Sequence, residues 1–596
     1  MALTAIFLEV NVLFPDLAAS IECMEHLASQ LSRTDALFWC ARVNLILSNQ
    51  FNSGAVAEDY LLRTFFPERG EWERARTWVR DNAPSGGTVF FRAQFLELAY
   101  WVAKFSRDLP NDGHTFESQG TRRIFGQAAL AAAGLWSNRV NEAVATGGGL
   151  DVSELRKRVM VGMRASMDEN ARGALPYVAL GRGALLWEKY MPQQWPQSNA
   201  AFEGACGMTR TDYFRSFAAL TSQHLDIRPE RITAHSGSAG LFKVDVWDQK
   251  DAMRTAFRRL LSGLTTPVEH LRQLARSGDH AGFLRQLRRQ PVMCTPDGRH
   301  IVMDPPFLIA QAILGPLFAI SATRPQHDYQ CFVDFGAAFE HYVADLVADR
   351  YPNREGLAQR SCGHEKLMRG KAVVSDVDAG ILTAPGEVCL IEAKAVFVPD
   401  AALGELESYQ AKIKEKYASS SKRPKGVGQL ARTIRELAAG QLTQIPEILN
   451  EVRTVFPVLL AYDHLIDVPG HGAFLLEQFI AELEPDEHLA DCRFRKGGIV
   501  TTGPIIISIN DFEWLEASLA NFSLSEFLSE YSAADPHRAN DLRTFAVAGR
   551  FRALMKQQEA AIDAALAVFD NLGLTAFGAE WQSAKAHAVR SPAEPA

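Results

Sequence analysis

Apolar residues recur at three- and four-residue intervals through much of the first half of the chain, the spacing of one helical face. Arg33–Leu47 (RTDALFWCARVNLIL) and Thr121–Asn138 are the clearest such stretches. The Gly147-Gly148-Gly149 run reads as a hinge, and Asp151 with Glu154 as a capping box opening the next helix. Thr233–Gly240 (TAHSGSAG) is a small-residue loop; Ser236 stands where a hydrolase nucleophile elbow at Ser238 needs glycine. Arg254–Gln290 is helical and rich in arginine. Pro291–Asp304 follows as a hairpin turning at Asp297-Gly298, then Phe307–Ile320 as an apolar helix. The polar, proline-containing Ser321–Asp328 reads as a connector and closes this half.

From Cys331 the pattern becomes mixed. Phe335–Arg350 places Phe335, Phe339, Tyr342 or Val343, and Leu346 on one helical face. Two strand-like runs follow, Ala372–Leu382 and Val388–Phe397, separated by the turn Ala384-Pro385-Gly386-Glu387. Next come a helix over Ala401–Tyr417, a polar loop over Ala418–Gly428 and a helix over Gln429–Ala439. Val455–Tyr462 and Pro504–Ile509 are further strands, and the chain beyond Asp535 reads as helical. This order predicts an α+β protein. Residues 1–325 form a mainly helical region with sub-boundaries near 147 and 235, and 326–535 a domain with a central mixed sheet flanked by helices. A helical extension covers 536–590 and a frayed tail 591–596.

Composition narrows the function classes. The 596 residues are 47% hydrophobic and 22% charged, ordinary for a globular protein. Lys and Arg number 62 against 70 Asp and Glu, a net charge of −8. That balance excludes a basic nucleic-acid-coating protein and leaves room for a local basic groove. The eight cysteines show no CxxC spacing and read as free thiols in a reducing cytosol. Ala2–Phe14 is apolar, but no basic residue precedes it and Glu9 interrupts it, so no secretory signal is expected. Phe307–Ile320 spans about fourteen residues, short of the roughly 20 a membrane span needs. The expectation is a cytoplasmic protein without membrane contact. Neither a Walker A loop nor an HExxH pair is present.

The chemistry concentrates in Val373–Lys394, VVSDVDAGILTAPGEVCLIEAK. Strand alternation puts Asp376 and Asp378 on one face of the first run, and Leu390, Glu392 and Lys394 on one face of the second. A hairpin joining the runs brings an aspartate beside Glu392. Two carboxylates aimed at one spot repel unless a cation lies between them, and an all-oxygen site suits Mg²⁺ or Mn²⁺. Lys394, on the Glu392 face, can reach a metal-bound water or a developing phosphate charge. The flanking Val388, Leu390, Ile391, Ala393 and Val396 are apolar, where idle charges would be costly. Basic residues follow directly. Tyr409–Arg435 holds Lys412, Lys414, Lys416, Lys422, Arg423, Lys425, Arg432 and Arg435 against Glu415 alone. That segment reads as a phosphate-contacting surface. Tyr409 and Tyr417 within it read as core, with base stacking as the alternative.

These residues resemble the PD-(D/E)xK, or restriction-endonuclease-like, nuclease superfamily over roughly Cys331–Tyr531. Asp378 matches the family aspartate, with Asp376 as the alternative, and Glu392-Ala393-Lys394 matches the (D/E)xK triplet. Glu340, in DFGAAFEHYVADL, resembles the helix glutamate of many branches, and Gln429 the glutamine some branches carry beyond the triplet. No proline precedes the aspartate, and no tyrosine follows Gln429 four residues on. The resemblance implies catalytic roles for Asp378, Glu392, Lys394, Glu340 and Gln429. It also implies Mg²⁺ or Mn²⁺ held by Asp378, Glu392, Glu340 and the Ala393 carbonyl. It implies cleavage to 5′-phosphate and 3′-hydroxyl ends, on DNA ahead of RNA; the charge of the basic segment separately assigns the phosphate grip to Lys412, Lys416, Lys422, Arg423, Lys425 and Arg432. By analogy the helical half is a sensing, partner-binding or oligomerising region of a bacterial anti-phage defence effector. The alternatives are a nuclease fold with an unused site, serving as a nucleic-acid-binding or assembly subunit, and an RNA-cleaving toxin.

Overall fold

The computed structural model describes residues 8, 10–48, 54–82, 88–108, 118–145, 176–225, 251–294, 298, 300–325, 328–353, 359–397, 406–419, 423–462, 471–519 and 523–534. The Gly147 hinge with its capping box, the Thr233–Gly240 loop, Lys422, and the extension and tail lie outside the described residues.

In the N-terminal half the expected helices run longer than their periodic cores, as Arg33–Ser48 and Gln119–Ala145. Arg33–Ser48 is buried continuously from Ala36 to Ile46, with Arg92–Phe105 packed along it. A helix apolar on all sides belongs inside a core. The arginine-rich stretch forms three helices, Asp251–Leu264, Val268–Arg276 and His280–Arg289. The hairpin follows, Val292–Cys294 antiparallel to His300–Val302, and Thr265–Thr266 adds a parallel third strand.

The apolar helix spans Pro305–Ala322, because Asp304 caps it and Pro305 and Pro306 occupy its first turn. It is longer than the apolar run alone predicts. Among the described residues it is the one helix long and apolar enough, by length and composition, to cross a membrane. Its Leu308, Ala312, Ile313 and Leu317 are buried in the protein core.

The central sheet runs in the order Glu487–His488, Arg493–Lys496, Ile499–Thr502, Thr454–Ala461, Glu387–Lys394, Ala379–Ala384, Arg360–Cys362; Ile505–Ser508 also pairs with Thr454–Ala461. Glu387–Lys394 and Thr454–Ala461 are its parallel centre, matched residue for residue from Glu387↔Thr454 to Lys394↔Ala461. Both faces of these strands are covered, so both alternating sets are apolar. Cys389, Ile391 and Ala393 share a core with Phe335, Phe339 and Val343 of the Gln330–Arg350 helix. Val388 and Leu390 share the opposite core with Tyr417, Leu430 and Ile434 of the Leu406–Tyr417 and Val427–Ala439 helices. Fully burying each Val, Leu, Ile or Phe side chain among these contributes about 1.5–3 kcal/mol. The chain is an α+β protein in which the first core continues without a break into the N-terminal helices.

One expected element is corrected. The Ala372–Leu382 run is two strands, Ala372–Val377 and Ala379–Ala384, divided at Asp378. The first half pairs with Glu365–Arg369 and the second with Glu387–Lys394. Two different partners pull the halves apart, and Ser375 ties the first to Thr433 of the Val427–Ala439 helix (Oγ···Oγ1 2.6 Å).

Candidate active site

The divided strand sets the aspartates apart. Asp378 is buried at the break, and its Oδ2 accepts the Ala393 main-chain N–H at 2.8 Å. Asp376 is half-buried and accepts from the Gln429 side chain. Gln429 therefore meets Asp376, not the Glu392–Lys394 pair. At the end of the central strand the Lys394 ammonium lies 2.6 Å from Glu392 Oε1, 3.2 Å from Glu340 Oε1 and 3.7 Å from Asp378 Oδ2. It also donates to the Ala393 carbonyl at 3.0 Å. Glu340 reaches this point from the Gln330–Arg350 helix, whose Phe335 and Phe339 anchor it on the sheet.

His364 completes the cluster, with Nδ1 3.5 Å from Asp378 Oδ1. Sequence reading missed it, because the strand that brings it into place, Glu365–Arg369, was not expected. Glu365 pairs with Val377 in the short hairpin, and one step further in that register sets His364 opposite Asp378.

Three carboxylates around one ammonium leave an excess of negative charge, and the protonation preferences reflect it. Burial, and then the Asp378 charge, push the Glu392 carboxyl well above the usual range. Burial raises Glu340 as well, against the pull of Lys394. Asp378 falls below its ordinary value: burial opposes ionisation, but Lys394, His364 and the Ala393 N–H outweigh it. Burial alone would depress Lys394, yet Glu392, Asp378 and Glu340 together raise it, so the amine stays charged. The hydrogen bond to Asp378 raises His364.

Among the described residues no group of three or more His, Cys, Asp or Glu side chains stands in metal-ligand geometry; the carboxylates converge on Lys394 instead. The donor set still suits a hard divalent cation. It is all oxygen, it carries surplus negative charge, and buried Glu392 Oε1 has only an ion pair and no well-angled hydrogen bond.

The basic segment lies close by. Lys425 is lowered by burial and then by the charges of Lys416, Arg423 and Lys394. Its loop is pinned: Lys425 N–H donates to the Ala418 carbonyl at 2.9 Å. A Cβ on Gly426 would fall 2.2 Å from the Tyr417 carbonyl oxygen, and Gly426 has φ +50°. Other basic residues are committed elsewhere. Lys412 pairs with Glu415 at 2.8 Å, and Arg435 donates to the Glu482 carbonyl at 2.8 Å. Arg432 is half-buried on the Val427–Ala439 helix. Tyr409 and Tyr417 are fully buried, with hydroxyls on His471 Nε2 (2.6 Å) and the Val396 carbonyl (3.1 Å), so they are core residues. No protein-family model, no curated protein and no solved structure matches this chain.

Proposed function

We propose that this protein is a metal-dependent nuclease of the PD-(D/E)xK type, hydrolysing phosphodiester bonds in DNA ahead of RNA, in the cytoplasm. The observation that carries the reading is the meeting of Asp378, Glu392 and Glu340 on Lys394, at the end of two buried central strands. Charges there are costly unless used. A Mg²⁺ or Mn²⁺ ion held by Asp378, Glu392, Glu340 and the Ala393 carbonyl would supply Lewis-acid charge and a water of lowered pKa. Lys394, which stays protonated, acts as a fixed cation: it orients the attacking water and offsets charge growing on the phosphoryl oxygens. Asp378 is aimed by its bond to the Ala393 N–H, and His364 Nδ1 stands 3.5 Å from its other oxygen. The helical half, sharing one core with this domain, serves as the sensing or partner-binding part of a defence effector by analogy.

A second reading, an unused nuclease fold that binds nucleic acid or assembles a complex, is favoured by Lys394 already engaging every donor. Incubating the protein with supercoiled plasmid and with matched RNA, in Mg²⁺, Mn²⁺ or EDTA, separates the readings. Metal-dependent cleavage lost in Glu392→Ala and Lys394→Ala supports the nuclease. No cleavage of the plasmid, of the RNA or of single-stranded DNA of the same sequence, with either metal, refutes it.

A further inference from the structure

Phe318, Phe332 and Phe397 pack mutually, with ring centroids 5.9, 6.1 and 6.2 Å apart. Phe335 and Tyr462 back them from the core. Their outer side is open: Phe318 is 47% exposed and Val333, next to Phe332, is 62% exposed. None of the three has a role in the chemistry above, but Phe332 and Phe397 stand on the elements that carry it, and Phe318 packs on both. Phe397 lies three residues past Lys394. Phe332 shares the Gln330–Arg350 helix with Glu340, about 12 Å along the axis. Between them Gly336 stands one turn from Val333 and one from Glu340, and a Cβ built on it would have no heavy atom within 4 Å. The strip of helix face between Val333 and Glu340 thus carries no side chain at Gly336, and a side chain added there would meet open space.

The opposite flank of the strand end is cationic. Val396 is held by the Tyr417 hydroxyl on the side of the basic segment, while Phe397, the next residue, packs on the other layer. Lys425 stands here on its pinned loop, within electrostatic reach of Lys416, Arg423 and Lys394, with Glu415 as the anion among them. A polymer crossing the strand end would meet aromatic rings on one side and concentrated positive charge on the other. That pairing of surfaces suits a nucleic acid strand whose bases are free to stack. In intact duplex the base faces are already stacked, and the phenylalanines would be idle.

We infer that Phe318, with Phe332 and Phe397, is a stacking platform for unpaired bases, so that the site takes single-stranded or flared DNA ahead of intact duplex. The inference rests on the nuclease reading for the identity of the ligand. Its test is anisotropy of labelled oligo(dT) and of a blunt duplex of equal length, both in EDTA. Oligo(dT) should bind more tightly than the duplex. Phe318→Ala should weaken oligo(dT) about ten-fold, the size of one lost base–aromatic stack, and leave the duplex unchanged. Phe318→Trp should restore binding, and Gly336→Glu should weaken it by placing an anion on the open strip. Thermal melts of each variant exclude misfolding. Equal or tighter duplex binding overturns the inference, as does unchanged oligo(dT) binding by Phe318→Ala. A shift in self-association in Phe318→Ala, without loss of DNA binding, assigns the patch to a second copy and overturns it too. Cleavage is scored separately in Mn²⁺. Phe318-dependent binding without cleavage removes the nuclease reading and keeps the platform; cleavage of duplex indifferent to Phe318 does the reverse.

Discussion

Asp378 accepts the main-chain N–H of Ala393 at 2.8 Å, so the aspartate is tied directly to the middle of the Glu392-Ala393-Lys394 triplet. The bond exists because the preceding strand breaks at Asp378 and lets the side chain turn onto its neighbour. Asp376, two residues earlier, is tied to Gln429 instead.

That difference predicts unequal losses. Asp378→Ala should abolish calorimetric Mn²⁺ binding, whereas Asp376→Ala should retain it. Asp378→Ala also leaves a buried N–H without its acceptor, costing about 1–3 kcal/mol in urea unfolding. Full Mn²⁺ affinity in Asp378→Ala together with loss in Asp376→Ala would transfer the ligand role to Asp376.

Lys394 holds three carboxylates together, so Lys394→Met should leave like charges buried and unpaired. The loss at neutral pH should be about 3–5 kcal/mol, the usual cost of breaking a buried pair. Glu392 and Glu340 have folded values raised above their unfolded ones, so the folded state binds more protons. Its stability therefore falls as pH rises from the ordinary glutamate range through those raised values. Removing the ammonium should steepen that fall, and acid or Mn²⁺ should partly restore the variant. A thermal melt series across pH, with and without Mn²⁺, checks this; a melting temperature in Lys394→Met indifferent to both counts against the account.

Much of this site was legible because its strands are buried on both faces. Val388 to Lys394 leaves no polar position unexplained except Glu392 and Lys394, whereas Glu340 was indicated by the family resemblance and not by the helix pattern. The break at Asp378 was not legible, since VVSDVDAGIL alternates as a single strand and only two competing partners divide it. Nor was the docking of the two halves. Arg182, on Pro176–Leu185, pairs with Glu513 across 331 residues and donates to Asn510 at 2.7 Å. Glu513 in turn accepts from the Tyr342 hydroxyl at 2.6 Å, two residues from Glu340. A lone arginine between two glycines carries no local sign of such a partner.

The Arg182–Glu513 pair predicts strong coupling. Both side chains are buried, and burial raises Glu513 against the pull of Arg182. Arg182→Met should cost about 3–5 kcal/mol by stranding the carboxylate, and Arg182→Met with Glu513→Gln should cost clearly less than the two single changes summed. A double-mutant cycle in urea measures the interaction. Additive losses would show that the pair does not join the halves.

The basic segment predicts a salt signature. Lys416, Arg423 and Lys425 lie on or beside a loop pinned by Gly426 and the Ala418 carbonyl, so changing them should leave the core intact. Each phosphate they neutralise releases counterions, worth about 0.7 in log–log salt slope for a single strand and about 0.9 for duplex. Replacing all three with alanine should weaken oligo(dT) binding and flatten the slope by roughly 2 if each meets one phosphate. Lys412 and Arg435, already paired within the protein, should change it far less when substituted. Affinity measured across a salt series decides between these sets. An unchanged slope in the triple variant, with a flattened one after substitution of Arg285, Arg288 and Arg289, would move the phosphate grip to the arginine-rich helices of the N-terminal half.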